Sequence, residues 1–286
     1  MSLDPDVRTR IARLFAYPVK SCAGVELQEA TLTETGLDLD RAWMVVDATG
    51  EFVSQRELPR MALVRPQLKH TEVVLRAPGM LALHLAVDQV DSPATVRVWG
   101  DEVRAWDMGD VAAQWFSDFL GRKLRLARFD PEVKRPSDPK WTQGAVALNQ
   151  FSDGYPLLVV SEGSIAELNR RLTIAGNATV GIERFRPNIV LEGLEAHDED
   201  RVDVLRIAAD IEVQLRPVKP CARCPIPDID PATAESAPSV SEALRAYRAN
   251  EIAGGAITFG MNAIILEGID AKLRVGQGVT ANWRFD

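Results

Sequence analysis

The sequence predicts a mainly β protein with some α-helix, an α+β fold in which an N-terminal β-barrel-like domain precedes a second β-barrel domain with peripheral helices. Short alternating or apolar runs fill the first 110 residues, separated by turn residues such as those at 47–50 and 77–79. Many short strands with regular turn signals are typical of a barrel or sandwich. A length of 286 residues allows two domains. We expect them at residues 1–130 and 131–286.

The spacing of apolar residues predicts the elements of the first half. Residues 110–120 change from an alternating pattern to an i, i+3, i+4 apolar stripe, which indicates a helix. Residues 129–143 contain three prolines and mixed charges, which is typical of a loop or linker. The runs that predict strands before this linker are 10–17, 25–32, 42–46, 62–66, 72–75, 82–87 and 95–98.

The second half begins with an apolar strand at 156–160, followed by a helix at 161–172. Ser161 is the expected N-cap of this helix, because its hydroxyl can accept a hydrogen bond from a free backbone N–H. A short helix is expected at 239–247. Further strands are expected at 188–191, 202–207, 211–215, 263–266 and 279–283.

Composition excludes several classes of protein. The 33 basic and 41 acidic residues give a formal net charge of −8, which argues against a general nucleic-acid-binding protein while leaving room for a local basic pocket. An odd set of cysteines, Cys22, Cys221 and Cys224, is not a disulfide framework. No apolar run approaches about 18 residues and no leader-type segment opens the chain, so we expect no membrane span and a cytoplasmic protein.

Residues 217–233, PVKPCARCPIPDIDPAT, combine two cysteines with five prolines. Prolines disfavour a helix, so the segment is predicted to be a stiff loop after the strand at 211–215. Lys219 and Arg223 favour the thiolate form of the nearby cysteines. The residues alone leave four interpretations open: half of a zinc site, a thioredoxin-like dithiol, one thiolate ligating a soft-metal cofactor, or two packed cysteines without chemistry.

Three basic segments stand at predicted strand ends. Lys20 and Ser21 follow the first strand, Arg41 precedes the strand at 42–46, and Arg186 precedes the strand at 188–191. Arginine side chains and backbone N–H groups at such positions are suited to binding a phosphate. Taken singly, each is more typical of a solvated charge or a surface ion pair.

Six segments follow one another over nearly the whole chain: YPVKSCAGV (17–25), GLDLDRAWMVVD (36–47), SQRELPRMALV (54–64), FSDGYPLLVVSEGSIAELNRRL (151–172), RFRPNIVLEG (184–193) and CARCPIPDIDPAT (221–233). In this order they resemble MOSC-domain proteins that carry an N-terminal MOSC β-barrel domain. The resemblance is strongest to the mitochondrial amidoxime-reducing component and its bacterial relatives. It implies that the two halves are a MOSC N-terminal barrel and a MOSC domain.

The resemblance implies a molybdenum–molybdopterin cofactor, with no iron–sulfur cluster and no nucleotide. The second cysteine of C-x-R-C is the metal ligand in the family, which places the metal on Cys224 and gives Cys221 no required role. Gly154 and Tyr155 replace hydroxyl residues of animal relatives, so contacts from that turn are less certain. The cofactor-binding residues implied by the match are Lys20, Ser21, Arg41, Ser152, Asp153, Gly154, Arg186, Asn188, Arg223 and Cys224.

The activity implied by the resemblance is the reduction of N-hydroxylated substrates, such as amidoximes and hydroxylamines, by removal of their oxygen atom. Two electrons and two protons then release water. Cys224 and Asp153 are the residues assigned to catalysis, with Asp153 or else Asp228 as the proton donor. Three cysteines cannot ligate a four-cysteine cluster, so the expected electron donor is a separate ferredoxin, flavoprotein or small cytochrome.

Two other functions remain open. The protein could be a sulfur carrier in cofactor sulfuration, with a persulfide on Cys224 or Cys221. It could also be a non-catalytic carrier of the molybdenum cofactor.

Overall fold

A computed structural model describes residues 4–284 of the chain. The helices are α1 (Gly109–Leu120), α2 (Pro139–Thr142), α3 (Glu162–Ile174) and α4 (Ser239–Arg245). The strands of the first half are β1 (Val7–Ala16), β2 (Val25–Leu27), β3 (Glu29–Thr33), β4 (Gly36–Leu37), β5 (Trp43–Val46), β6 (Arg65–Leu68), β7 (Glu72–Arg76), β8 (Leu83–Ala86), β9 (Ser92–Val98), β10 (Asp101–Asp107) and β11 (Arg125–Phe129). The strands of the second half are β12 (Leu157–Ser161), β13 (Ile189–Glu192), β14 (Leu205–Ile207), β15 (Val213–Ala222), β16 (Ala249–Asn250), β17 (Ala256–Glu267), β18 (Lys272–Arg274) and β19 (Gly278–Ala281). Among residues 4–284, no helix has the length and apolar character needed to cross a bilayer.

Seven strands close into a barrel in the order β12-β13-β1-β19-β14-β15-β17, and the pairing of β17 with β12 completes the ring. The barrel includes β1, from the start of the chain, which pairs with β13 on one side and β19 on the other. Its interior is filled by buried aliphatic side chains such as those of Ile11, Leu14, Ile189 and Leu215. The expected division of the chain near residue 130 stays a prediction, and the barrel takes strands from both sides of it.

The first half adds a four-stranded sheet, β5-β11-β10-β9, and a three-stranded sheet, β6-β7-β8. Trp43 and Val45 of β5 pack with Val73 of β7 and with Phe116 of α1 in one core. The opposite face of the four-stranded sheet is buried too, where Met44 meets Phe151 from the second half. The prediction of a mainly β, barrel-containing protein with peripheral helices is therefore confirmed.

The predicted helices at 110–120, 161–172 and 239–247 correspond to α1, α3 and α4. Ser161 is the N-cap of α3, and its hydroxyl accepts a hydrogen bond from the N–H of Ser164 at 3.1 Å. The prediction of a strand at 62–66 is wrong in part, since Pro59–Leu63 form a 3₁₀ turn and β6 starts only at Arg65. Strands β10 and β11 were not predicted, because charged residues break their apolar runs.

The proline-rich segment 217–233 is only in part the expected loop. Strand β15 continues through Pro217, Pro220 and Cys221 to Ala222, paired with β17. The register between the two strands shifts at both prolines, which fits the rule that proline enters a sheet at irregular positions where no ladder hydrogen bond is needed. Cys221 is therefore fixed on a barrel strand, and only Arg223 onward lies in a loop.

Candidate functional site

One cavity of about 230 Å³ opens at the seam between the two halves of the chain. Segments of the first half supply one wall, and the starts of β12 and β13 and the end of β15 supply the other. All the residues predicted for the site line this cavity: Lys20, Ser21, Arg41, Ser152, Asp153, Gly154, Arg186, Asn188, Arg223 and Cys224. The fold thus brings together residues that are up to 204 positions apart in sequence (Lys20 to Cys224, 224 − 20).

Backbone hydrogen bonds join the two turns of the first half that carry basic side chains. The N–H of Lys20 donates to the carbonyl of Trp43 at 2.8 Å, and the N–H of Arg41 donates to the carbonyl of Tyr17 at 2.9 Å. Val19 and Trp43 form a parallel bridge between the same segments. Because the backbone is paired in this way, Lys20 and Arg41 project from a rigid base.

The site concentrates left-handed backbone at residues other than glycine. Ser21, Arg41, Trp99 and Arg186 have φ values of 66°, 50°, 60° and 59°. Such conformations cost about 1 kcal/mol or more for residues with a Cβ atom and cluster at functional sites. Gly154 has φ of 142°, a region that only glycine enters easily.

The cavity walls are strongly cationic although the whole chain is acidic. One carboxylate, Asp153, faces six basic side chains: those of Lys20, Arg41, Arg56, Arg186, Lys219 and Arg223. Lys20 pairs with Asp153 and Arg41 pairs with Asp40. The other four have no carboxylate partner within residues 4–284. An excess of unneutralised cations on one cavity favours an anionic ligand.

Lys20 is buried at the base of the cavity. Its ammonium group donates to the carbonyl of Phe151 at 2.7 Å and to the carboxylate of Asp153. Burial lowers the pKa of Lys20, and the charge of Asp153 opposes that effect. The neighbouring carboxylate therefore stabilises the ammonium form of Lys20.

Asp153 is held as a carboxylate. Partial desolvation at the cavity raises its pKa, but the Lys20 ammonium and the Trp99 indole N–H, at 2.8 Å, outweigh this and hold the pKa of Asp153 well below its usual range. An ionised carboxylate accepts protons, which is the opposite of what a proton donor must do. The assignment of Asp153 as the proton donor stays a prediction, and its surroundings favour the ionised carboxylate.

Asp228, the alternative proton donor, does not line the cavity. It is buried, and its carboxylate accepts a hydrogen bond from the backbone N–H of Ser241 at 2.9 Å in the first turn of α4. This hydrogen bond gives Asp228 a structural role, because it fixes the start of α4.

Two guanidinium groups converge on one aromatic ring. The guanidinium carbons of Arg41 and Arg186 lie 4.4 Å and 4.3 Å from the ring centroid of Tyr17. Arg186 also donates to the carbonyl of Cys22 at 2.6 Å, while its Nη2 is buried without a hydrogen-bond partner among the described residues. Burial and the nearby charge of Arg41 lower the pKa of Arg186 to about 10. Arg186 is thus a buried cation that lacks a counter-ion.

Asn188 is engaged by the protein itself. Its side-chain oxygen accepts from Arg41 at 3.2 Å and from the N–H of Leu158 at 3.1 Å, and its side-chain nitrogen donates to the carbonyl of Phe15 at 3.2 Å. These bonds occupy three of the four hydrogen-bonding positions of an amide side chain. Asn188 therefore fixes Arg41 and joins β12 to β1.

The two cysteines of C-x-R-C both reach the cavity, but they differ in their contacts. Arg223 donates to the sulfur of Cys221 at 3.0 Å and to the carbonyl of Phe185 at 2.9 Å. Cys224 follows in the loop, and its thiol has no hydrogen-bond partner among residues 4–284. Cys22 lies in the core, and burial raises its pKa to about 12, so it is an inert thiol.

Within the described part of the chain, no cluster of three or more histidine, cysteine or carboxylate side chains is arranged to hold a metal ion. A metal at this site would need most of its ligands from another molecule. That requirement is compatible with a cofactor that brings its own sulfur ligands and takes one thiolate from the protein.

Sequence reasoning missed two groups of residues around the site. Arg135, in the predicted linker, is only 8% exposed and pairs with Asp101 at 2.8 Å. It also donates to the carbonyls of Gln150 at 2.9 Å and Ser152 at 2.8 Å, which fixes the turn that leads to Asp153. The second group lines the mouth of the cavity, beside Lys219, which the sequence had already placed near the thiols: Phe52, Arg56, Trp99 and Asn262. Arg56 lies within the matched segment 54–64, the one signal that pointed to it.

A second, larger recess of about 510 Å³ lies beside the first and shares Arg186 with it. Its charges are mixed, since Arg13 pairs with Glu26 at 2.7 Å and Glu183 also lines it. Neither cysteine of C-x-R-C reaches this recess. The smaller cavity is therefore the candidate site, because it contains the thiols and the unpaired cations.

Comparison with known proteins agrees with this organisation. Residues 8–123 match the MOSC N-terminal beta barrel domain, and residues 148–280 match the MOSC domain. The chain is 34% identical over 234 residues to mitochondrial amidoxime reducing component 2 of Rattus norvegicus, covering 78% of this chain and 67% of that protein. It is 35% identical over 249 residues to mitochondrial amidoxime-reducing component 1 of Homo sapiens, covering 83% and 72%.

A more distant relative is molybdenum cofactor sulfurase of Bos taurus, which is 28% identical over 270 residues covering 88% of this chain and 30% of that protein. Both halves of the chain are matched, and the matched segments carry every residue of the candidate site. The chain belongs to the MOSC family, with an N-terminal MOSC β-barrel domain followed by a MOSC domain.

Proposed function

We propose that the protein is a molybdenum-cofactor-dependent reductase of N-hydroxylated compounds such as amidoximes and hydroxylamines. The observation that carries the proposal is the cavity itself, in which an unengaged cysteine thiol stands among cations that lack carboxylate partners. The names of the relatives, which include amidoxime reducing components, support the choice of reaction.

The residues present fit a pterin dithiolene that carries a phosphate. Arg186 Nη2, Arg223 Nε and the Tyr155 hydroxyl are buried in or beside the cavity without hydrogen-bond partners among the described residues. Buried donors normally have an acceptor, so these three indicate a ligand rich in acceptor atoms. Phosphate and dithiolene sulfur are both anionic and both accept hydrogen bonds.

Each predicted residue then has a role. Cys224 is the proposed metal ligand, because a thiolate is a soft donor. Lys20, Arg41, Arg186 and Arg223 would neutralise the anionic groups of the cofactor. Contacts from the backbone and hydroxyl groups would come from Ser21, Ser152 and Gly154.

Two of the predicted residues act through others. Asn188 holds the guanidinium of Arg41, and Asp153 holds the ammonium of Lys20 and the indole of Trp99. Asp153 is therefore proposed as a positioning residue. We propose that the protons come from water or from Lys20 at the base of the cavity.

When bound, the cofactor would supply the two-electron chemistry that removes the oxygen of an N–OH group. The cavity residues would orient the substrate, and Lys20, Arg41, Arg186 and Arg223 would balance the charge of the bound cofactor. We expect the electrons to come from a separate redox protein, either a ferredoxin, a flavoprotein or a small cytochrome.

The proposal is tested first by measuring molybdenum in the purified protein, together with fluorescence of the oxidised pterin. We expect close to one molybdenum per chain and its loss in Cys224→Ser. The loaded protein, given an artificial reductant, should convert benzamidoxime to benzamidine. Protein made in a host rich in the cofactor that holds neither metal nor pterin would contradict the proposal.

One observation favours a second function, in cofactor sulfuration. Arg223 donates a hydrogen bond to the sulfur of Cys221, a contact that would stabilise an anionic sulfur species there. The similarity to molybdenum cofactor sulfurase agrees with this alternative. A persulfide on Cys221, detected by mass spectrometry after incubation with a cysteine desulfurase, would support sulfur handling over reduction.

A further inference from the structure

The mouth of the cavity is built from aromatic and basic side chains, and the cofactor assignment uses only the Tyr155 hydroxyl among them. We call Phe52, Arg56, Trp99, Tyr155 and Lys219 the cavity rim; all five line the cavity. The first three come from the first half of the chain, and the other two come from the second half. The rim therefore faces the opening from both sides of the seam.

On one side, three groups are in contact, with the rings of Phe52 and Trp99 inclined at 57°. The rings of Phe52 and Trp99 are 5.0 Å apart between centroids, and the guanidinium carbon of Arg56 lies 4.6 Å from the Trp99 ring. Trp99 is 52% exposed, although a tryptophan of a stable core would be covered. A large aromatic face left open at a cavity mouth is suited to stacking against a flat ligand.

Trp99 is also held in one orientation. It lies at the tip of the β9–β10 hairpin with φ of 60°, and its indole N–H donates to the carboxylate of Asp153 at 2.8 Å. A hairpin tip in a strained conformation with a fixed side chain is a pre-organised surface. The exposed ring therefore presents the same face to each ligand that enters.

The two rim cations have no counter-ion. Arg56 and Lys219 make no ion pair within residues 4–284, and neither side chain donates a hydrogen bond to another described residue. Among the described residues, both cations lie against aromatic rings. Arg56 is near Trp99 and Phe52, and Lys219 is 5.3 Å from the Trp141 ring and 5.6 Å from the Tyr155 ring. The donors of both cations are thus free to bind an anion at the opening.

We propose that the cavity rim selects flat aromatic N-hydroxylated substrates that carry a negative charge, such as an aryl carboxylate. The inference rests on the proposed function and names the substrate class of the same site. The aromatic ring stacks on Trp99, the carboxylate binds between Arg56 and Lys219, and the N–OH group points into the cavity. For an aryl amidoxime the reaction is Ar–C(NH₂)=N–OH + 2e⁻ + 2H⁺ → Ar–C(NH₂)=NH + H₂O, with electrons from the reductant.

The test compares three substrates of one shape and different charge on the loaded enzyme. They are 4-carboxybenzamidoxime, benzamidoxime and 4-(aminomethyl)benzamidoxime, with an artificial reductant in place of a partner protein. We expect kcat/KM to be about fivefold to tenfold higher for the carboxylate than for the neutral compound, the size of one or two partly exposed ion pairs. The cationic compound should be the poorest, and salt at about 0.5 M should reduce the differences.

Substitutions test which residues produce the preference for the anionic substrate. Arg56→Gln and Lys219→Gln should each bring the ratio of kcat/KM values for the anionic and neutral substrates closer to one, and Arg56→Lys should restore most of it. Arg60→Gln is the matched control, because Arg60 also lies on an aromatic ring, that of Phe119 at 4.5 Å, but is exposed outside the cavity. Arg60→Gln should leave the ratio unchanged.

A binding measurement gives a second readout that needs no turnover. Calorimetry with the loaded enzyme should show tighter binding of the product 4-amidinobenzoate than of benzamidine, and Arg56→Gln should remove the difference.

The outcomes separate the two proposals. Equal kcat/KM for all three substrates would overturn the rim inference and leave the reductase intact. If molybdenum is bound and none of the substrates is reduced, the proposed function fails, and the binding comparison alone then decides whether the rim selects aryl anions. A ratio that Arg60→Gln lowers as much as Arg56→Gln would show a general charge effect and would also overturn the inference.

Discussion

Replacement of Arg186 by methionine gives the sharpest test of whether the cavity cations serve a ligand or the fold. Methionine keeps the length and packing of the arginine stem and removes only the charged group. If Arg186 is present to bind an anion, the cofactor-free protein should not need its charge. If Arg186 is structural, its loss should unfold the site.

The magnitude follows from the surroundings of the guanidinium. Burial and the charge of Arg41 lower the pKa of Arg186 from 12.5 to about 10, which corresponds to about 3 kcal/mol of cost for the charged form. The substitution also removes the hydrogen bond to the carbonyl of Cys22, which contributes about 2 kcal/mol, and the contact with the Tyr17 ring, about 1 kcal/mol. The terms offset, so we expect the free energy of unfolding to change by less than about 1 kcal/mol.

Titration of Arg186 does not affect this comparison of unfolding free energies near neutral pH. Because the pKa of Arg186 is lower in the folded state, the cost of its charge is present at every pH below about 10 and disappears only above 12.5. All measurements between pH 6 and pH 8 therefore see the full effect.

Arg248→Met is the matched control. Arg248 is as buried as Arg41 of the site, but it pairs with the largely buried carboxylate of Asp200 and donates to the carbonyl of Thr258 at 3.0 Å. Its removal leaves Asp200 without a counter-ion, a change that costs about 3 kcal/mol. In urea melts of cofactor-free protein, Arg186→Met should stay close to wild type and Arg248→Met should unfold at much lower urea.

The same samples, loaded with cofactor, complete the assay. Arg186→Met should retain far less pterin and molybdenum than wild type after gel filtration. The reasoning is refuted if Arg186→Met destabilises the cofactor-free protein as much as Arg248→Met does, or if it retains the cofactor like wild type.

Three further predictions concern other parts of the site. Cys224→Ser should lose bound molybdenum in elemental analysis, whereas Cys221→Ser should retain most of it; equal loss from both would leave the choice of ligand unsupported. Arg135→Met should lower the free energy of unfolding by about 2 kcal/mol in urea melts, because it removes the charged donor that binds the part-buried carbonyls of Gln150 and Ser152; a wild-type melt would show that Arg135 does not hold the turn. Asp153 has a lowered pKa, so its pairing with Lys20 adds stability above about pH 4 that is lost as the pH falls through its folded-state pKa. Asp153→Asn should thus be less stable than wild type at pH 7, by about 1 kcal/mol or less because the side chain is 71% exposed, and the two melting curves should converge at acid pH.

The strand ends that carry the site were predictable because their signals are local. Lys20 and Ser21 follow an apolar run, and Arg41 and Arg186 each precede one, so a turn could be assigned to each from neighbouring residues alone. Their meeting at one cavity was not predictable from spacing. It depends on the pairing of β1 with β13 and β19, and such long-range pairings leave no periodic trace in the sequence. The resemblance to a family supplied what the spacing did not.

Other features were missed for particular physical reasons. Pro217 and Pro220 suggested a loop, since proline lacks the N–H that a strand uses, but β15 accommodates both where its register with β17 shifts. Arg135 lies in the segment predicted as a linker, yet its side chain is buried and binds the carbonyls of Gln150 and Ser152. Trp99 is a single aromatic at a hairpin tip, and one residue in a turn carries no pattern.

The strain and the unpaired charge at the cavity have one physical explanation. A protein selected only for stability would not keep left-handed backbone at Ser21, Arg41 and Arg186, nor a buried Arg186 Nη2 without an acceptor. An anionic ligand removes the electrostatic part of that cost when it binds, and the strained turns hold the cations in place before it arrives. The stabilisation gained on binding is therefore expected to be larger than in a site whose cations are already paired. Cofactor binding should accordingly raise the melting temperature of wild type much more than that of Arg186→Met, and equal increases would show that the buried cation is not what the ligand neutralises.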